Sequence, residues 1–186
     1  MTPTPDALPM FPAEVVTERL HLRPPSEADA ERIFTRYAQD VQVCRYMSWT
    51  PHRSMDDTHD YLQRVVTDNN QGVSAGYLIF SRASGALLGS VGGSYQGPSR
   101  MQFGYCLARN AWGQGYATEA ARAFVNAAMS QPDMWRVQAL CDLENRASAR
   151  VLEKAGLTLE GVLRRYLEMP NLGEEPRDMY CYAVVR

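Results

Sequence analysis

Hydrophobic positions along this chain switch between a period of two and a period near 3.6. Over residues 18–23, Leu20 and Leu22 alternate with His21, and Pro24-Pro25 ends the run, which predicts a first strand. From Ser26 the spacing changes. Ala30, Ile33, Phe34 and Tyr37 share one helical face, with Asp29 three residues after Ser26 as a reciprocal cap. A second helix starts at Ser54 and carries Tyr61, Leu62, Val65 and Val66 inward until Asn69-Asn70-Gln71-Gly72 stops it. Between these helices, residues 43–53 have no period yet hold Tyr46, Met47, Trp49, Pro51 and His52. Such a loop suits a binding surface or a segment clamped onto the core.

Short strands follow at residues 75–81, 86–95 and 101–107, joined by turns at Ser84-Gly85 and Gly97-Pro98-Ser99, and predict an antiparallel meander. Gly89, Gly92 and Gly93 lie inside it and imply a bulge or the close approach of another group. The last strand leads, after Arg109-Asn110-Ala111, into Trp112-Gly113-Gln114-Gly115-Tyr116-Ala117-Thr118-Glu119. A helix then buries Ala117, Ala120, Ala121, Phe124, Val125 and Ala128 and turns Glu119, Arg122 and Asn126 outward. Residues 136–141 form a strand parallel to 103–108, because a whole helix joins the two. Asn145 caps a helix through Ala147, Val151, Leu152 and Ala155, closed by Gly156, and a strand at 176–182 finishes the chain.

A strand, a glycine loop and a helix start make a phosphate-holding arrangement. The first N–H groups of a helix lack partners and carry roughly half a positive charge, and Gly113 and Gly115 bring no Cβ to block an approaching pyrophosphate. A P-loop is excluded, since no Gly-Lys-Ser/Thr follows and the single lysine is Lys154. The nicotinamide-binding pattern finds Gly113 and Gly115 but has Thr118 in its third place, and Asp142 fits its acidic position loosely.

The stretch from Asn110 to Ala117 resembles the acetyl-CoA loop of the GNAT N-acetyltransferase superfamily, Gln/Arg-x-x-Gly-x-Gly/Ala, with Asn110 departing at the first position. Trp-Gly-Gln-Gly-Tyr-Ala-Thr-Glu-Ala is closer still to the branch containing the ribosomal-protein N-terminal acetyltransferases. Asn145 to Gly156 resembles that branch too, as do the opening Glu18 to Arg23 and the closing 176–182 strand. The resemblance implies a single α/β domain over 18–186 behind a flexible tail, 1–17. Its mixed, mostly antiparallel sheet would have splayed central parallel strands and flanking helices.

The resemblance further implies acetyl-CoA as cosubstrate and a primary amine as acceptor, on a protein N-terminus or a small molecule. Residues Trp112, Gly113, Gln114, Gly115, Tyr116, Ala117 and Thr118 would hold the pyrophosphate, and Tyr105, Cys106 and Leu107 would run beside the pantetheine. A main-chain N–H near Leu107 becomes the candidate oxyanion donor, and Asn145 with Ser148 would face the thiol end of CoA. The acceptor side would be walled by Tyr46, Trp49 and His52. Two side chains common in the superfamily are missing, since Leu152 stands where a tyrosine acid is usual and Gln102 where a glutamate is. Glu168, His52 and Asp142 remain as candidate bases, although an α-amine with a pKa near 8 is already partly neutral at working pH. A protein that binds acetyl-CoA or CoA as a sensor or scaffold, without turnover, is the alternative.

The 186 residues suit one domain with its own core, and 45% hydrophobic with 22% charged residues is the composition of an ordinary globular chain. A net charge of −2 argues against nucleic acid as partner. Cys44, Cys106, Cys141 and Cys181 show no metal or redox spacing and read as buried hydrophobes of a reducing, cytoplasmic compartment. His52 and His59 lie near Asp56, Asp57 and Asp60, but those carboxylates suit a helix start better than a metal. Met1 to Pro12, with four prolines, resembles no signal peptide, and no run is long enough to span a membrane. C-terminal strands in the resembled superfamily often meet across a dimer, which leaves a homodimer open alongside a monomer.

Overall fold

A computed structural model describes residues 11–186 of the chain. Eight strands form one sheet in the order β1-β2-β3-β4-β5-β6-β8-β7: β1 (Val15–Val16), β2 (Leu20–Arg23), β3 (Ser74–Ser81), β4 (Leu87–Tyr95), β5 (Arg100–Leu107), β6 (Arg136–Asp142), β7 (Thr158–Leu167) and β8 (Arg177–Val185). Every neighbouring pair is antiparallel except β5 and β6. The mixed sheet expected from the sequence is therefore present, with its one parallel pair at the centre.

Helices cover both faces. On one lie α1 (Ala30–Ile33), a π-helical turn at Phe34–Ala38, α2 (Val41–Cys44) and α3 (Met55–Asn70), which bury Ile33, Tyr37 and Leu62 against Leu78, Phe80 and Cys106. On the other lie α4 (Tyr116–Met129) and α5 (Arg146–Ala155), which bury Phe124, Val125 and Leu152 against Tyr77, Met101 and Phe103. Phe124 stacks on Phe103 at 5.6 Å between ring centroids, and burying one such side chain contributes roughly 1.5–3 kcal/mol.

Local chemistry explains the helix starts. The Ser26 N–H donates to Asp29 Oδ2, and the two Asp29 oxygens together take Arg23 in a two-pronged ion pair. Asp57 accepts from the N–H groups of Arg53 and Ser54 at the start of α3, so this carboxylate is a cap. The meander glycines behave as expected from their positions. The register between β3 and β4 shifts at Gly89, where an added Cβ would lie 2.1 Å from the Cys106 oxygen. A Cβ on Gly93 would meet Met101 at 2.9 Å.

Two expectations change. Residues 1–10 of the expected tail lie outside the described residues, but residues 11–17 are bound to the domain. Phe11 stacks on Phe124 at 5.1 Å and Val15–Val16 pairs with β2. The expected loop 43–53 begins with the last turn of α2, capped by Asp40, which accepts from the Gln42 N–H.

Candidate active site

Strands β5 and β6 pair only at Arg100 with Arg136, Met101 with Val137 and Gln102 with Gln138, then part. Strand β5 continues to Leu107 with its other edge held by β4. The Ala108 N–H donates to Leu88 O on that edge, so by strand alternation the N–H groups of Tyr105 and Leu107 face the gap. At the mouth of the gap the Leu107 carbonyl accepts from the Trp112 indole at 2.7 Å. The indole therefore ties the strand end to the loop that follows.

That loop has the geometry an anion cradle requires. Gly113 (φ 73) and Gly115 (φ 81) both occupy the left-handed region, which explains the residue type. An ideal Cβ on Gly113 would meet nothing within 4 Å, so its face is open. Among the described residues no side chain caps α4, and its first internal bond runs from the Glu119 N–H to Gly115 O. The amides of Tyr116, Ala117 and Thr118 precede that bond and point out of the helix start. Gln114 Nε2 donates to Asn110 O at 2.8 Å and closes the loop on itself. Arg19 adds a brace that sequence reasoning missed: it donates to Gln114 O at 2.9 Å, pairs with Glu119 and lies 4.7 Å over the Tyr116 ring. Burial pushes the Glu119 carboxyl up, but hydrogen bonds from Thr17 and Arg19 outweigh it and hold the group below its ordinary range.

Beyond the mouth lies a cleft of about 430 Å³ that reaches both faces of the sheet. Tyr105, Cys106, Asn145 and Ser148 line it, as do Tyr46 and Trp49 on the other side, so the structure brings together the expected thiol-end and acceptor-side residues. The loop Asn110 to Thr118 stands outside this cleft. The hydroxyls of Tyr105 and Ser148 lie 2.8 Å apart. Burial drives the Tyr105 phenol well above its ordinary range, only partly offset by Ser148, so it keeps its proton. Asn145 accepts from the Ser148 N–H at 3.1 Å and is the N-cap of α5. Cys106 faces Ser90 at 3.4 Å, and burial pushes its thiol up.

The candidate bases do not gather there. Glu168 is exposed, whereas its neighbours Leu167 and Met169 line the cleft. Asp142 lines the cleft but is buried against Arg177, whose Nε lies at 2.8 Å; burial raises its pKa, and the hydrogen bonds from Arg177 and the Glu144 N–H, together with the Arg177 charge, more than reverse the shift. His52 is corrected from cleft wall to support. Its Nδ1 lies 2.8 Å from Thr58 Oγ1, and its ring packs between Trp49 and Tyr61, where burial lowers its pKa. Tyr61 packs inward against the core as expected and also lines the cleft, with its phenol pushed up to about 12 by burial. Asn171 was not anticipated. Its Nδ2 donates to Cys44 O at 2.7 Å and Trp49 O at 2.8 Å, fastening the loop that carries Tyr46. No local pattern marks Asn171, because its partners lie more than 120 residues earlier.

A gap between two parallel strands, flanked by a glycine-started helix, can hold an anionic, amide-bearing donor beside an acceptor cleft. Residues 19–158 match the family model described as an acetyltransferase (GNAT) domain. An uncharacterized N-acetyltransferase, p20 of Bacillus licheniformis, is 30% identical over 152 residues, covering 81% of this chain and 85% of that protein. The structure of the microcin C7 self-immunity acetyltransferase MccE, in complex with acetyl-CoA and AMP, superposes with a TM-score of 0.84 at 20% identity, covering 95% of this chain and 98% of the other. RimL, a ribosomal L7/L12 α-N-protein acetyltransferase solved with coenzyme A, superposes at 0.81 with 20% identity, covering 97% and 98%. These two likenesses speak for the fold, and the family match along three quarters of the sequence speaks for kinship. The chain belongs to the GNAT family of acetyltransferases.

Proposed function

We propose that this enzyme moves an acetyl group from acetyl-CoA to a primary amine, on a protein N-terminus or a small molecule, by direct transfer through a tetrahedral intermediate. The observation that carries the reading is the parting of β5 and β6 after Gln102, which joins the glycine-loop mouth to the acceptor cleft. The amides of Tyr116 to Thr118 bind the pyrophosphate of the donor. The Leu107 N–H, facing the gap, is placed to take the developing oxyanion. Tyr105 and Ser148 form a protonated hydroxyl pair that can neutralise the leaving thiolate, the task for which Leu152, fully buried, has no group. An amine with a pKa near 8 supplies its own neutral fraction. A cytoplasmic location and a homodimer belong to the same proposal; among the described residues no helix is long and apolar enough to cross a membrane.

The second reading, a CoA-binding protein without turnover, is favoured by Gln102, an amide that cannot accept a proton. Thermal unfolding with acetyl-CoA, CoA, NAD and ATP in parallel tests the cofactor. A specific ligand at a hundredfold excess over its Kd adds about 2.7 kcal/mol, a shift of roughly 5 °C or more for a domain of this size. Stabilisation by acetyl-CoA followed by thiol release with an amine panel supports transfer. Stabilisation by CoA without thiol release from any amine supports the second reading, and a shift with NAD alone overturns both.

A further inference from the structure

Three glycines stand in register across the sheet. Gly104 of β5 pairs with Gly92 of β4, and Gly92 pairs with Gly76 of β3. All three line the cleft, and side chains at this register point to the face covered by α3. The result is a strip of bare backbone bounded by two rows of side chains, Ser74, Ser94, Gln102 and Gln138 on one side and Leu78, Ser90 and Cys106 on the other. The strip is roofed at one end, where a Cβ on Gly76 would lie 2.8 Å from Val65. At its other end, beside the β5 and β6 gap, a Cβ on Gly104 would meet nothing within 4 Å. With strands about 4.8 Å apart, the open floor is short.

The polar row has a fixed sense of donation. Arg136 has only donors, and its Nε gives to Gln138 Oε1 at 2.8 Å while both terminal nitrogens bind Glu160. Gln138 is thereby oriented with its Nε2 outward, and that group donates to Gln102 Oε1 at 3.1 Å. Gln102 consequently has its oxygen engaged and turns Nε2 away from Gln138. Among the described residues no arginine, lysine or histidine lines the cleft, and its two carboxylates are Asp68 and the Arg177-paired Asp142. An acceptor oxygen met by a neutral amide, in a cleft that no cation lines and whose neighbouring Arg136 and Arg177 are already paired with carboxylates, is better matched as an uncharged carbonyl than as a free carboxylate.

We propose that the row Gly76, Gly92, Gly104 is the floor of the acceptor groove and that Gln102 is a specificity-determining residue, donating from Nε2 to an uncharged carbonyl oxygen next to the acceptor amine. The inference rests on the transfer reading above and narrows it to amines bearing an amide. Purified enzyme is assayed for thiol release with acetyl-CoA and Ala-Ala amide, alanine or spermidine. The dipeptide amide is expected to exceed the other two in kcat/KM by about tenfold or more. Gly104→Ala adds a methyl that touches no protein atom, so the melting temperature and its rise with acetyl-CoA hold while KM for the dipeptide amide rises about tenfold. Gln102→Glu keeps an acceptor for Gln138 but removes the donor, and kcat/KM for the dipeptide amide falls about three- to tenfold. Preference for spermidine or alanine, an unchanged KM in Gly104→Ala, or a gain of activity in Gln102→Glu overturns this inference and leaves transfer standing. No thiol release from any amine overturns the transfer reading and this one with it.

Discussion

Tyr105 and Ser148 bring their hydroxyl oxygens to 2.8 Å across the boundary between β5 and the first turn of α5. The phenol is held in its protonated form by burial, so the pair is a donor. Tyr105→Phe is expected to lower kcat by about 10²-fold, the usual range for losing an acid. Ser148→Ala, which removes one neutral hydrogen bond, costs about three- to tenfold. Steady-state thiol release reads both, and an equal loss in acetyl-CoA binding would assign the pair to cofactor holding instead.

Asn171 fastens the acceptor-side loop through the carbonyls of Cys44, Met47 and Trp49. Asn171→Ala frees three carbonyls and lets Tyr46 and Trp49 drift. The amine KM is expected to rise several-fold, about 1 kcal/mol per lost bond at most, with acetyl-CoA affinity unchanged. Isothermal titration with acetyl-CoA beside amine saturation curves separates the two effects.

Gly113 adopts φ 73 with open space where its Cβ would be. An alanine there pays backbone strain of about 1 kcal/mol and sets a methyl over the anion cradle. Gly113→Ala should weaken acetyl-CoA binding about tenfold or more while leaving the unliganded melting temperature only slightly lower. Equal affinity for acetyl-CoA would place the pyrophosphate elsewhere.

Asp29, Glu119 and Asp142 are all held below the ordinary carboxylate range; burial opposes this in each, and hydrogen bonds from Arg23 and Ser26, from Thr17 and Arg19, and from Arg177 and the Glu144 N–H, together with the charge of the paired arginine, outweigh it. Carboxyls depressed in the folded state stabilise it above the unfolded pKa near 4, and the contribution is lost as pH falls through their lower folded values. Melting temperature should therefore hold from pH 7 to about 5 and drop steeply below about 4. Asp142→Asn should flatten part of that acid limb.

The glycine loop was legible because left-handed φ at residues 113 and 115 demands one residue type, and the helix after it repeats at a fixed period. Phe124 and Leu62 were legible as core for the same reason. The glycine row was not, because Gly76, Gly92 and Gly104 acquire meaning only through the registers of two strand pairings, which no single strand encodes. The double role of Tyr61 was hidden for a related reason. Helical spacing tells which face is inward, but α3 lies beside a cleft at Tyr61, and there the inward face meets both core and cavity. Arg19, read as an ordinary strand residue, braces a loop 95 residues away through Gln114.

The parting of β5 from β6 gives the molecule an edge in the middle of its own sheet. An ordinary edge lies on the rim, where any foreign strand can add to it. This one lies inside a cleft lined by α5 and the Tyr46–Trp49 loop, and its outermost carbonyl is already occupied by Trp112. In the proposed reading, what pairs with it is the narrow arm of the donor, entering from the glycine-loop mouth. The donor would then serve as a temporary ninth strand, and each turnover would complete the sheet and dismantle it again.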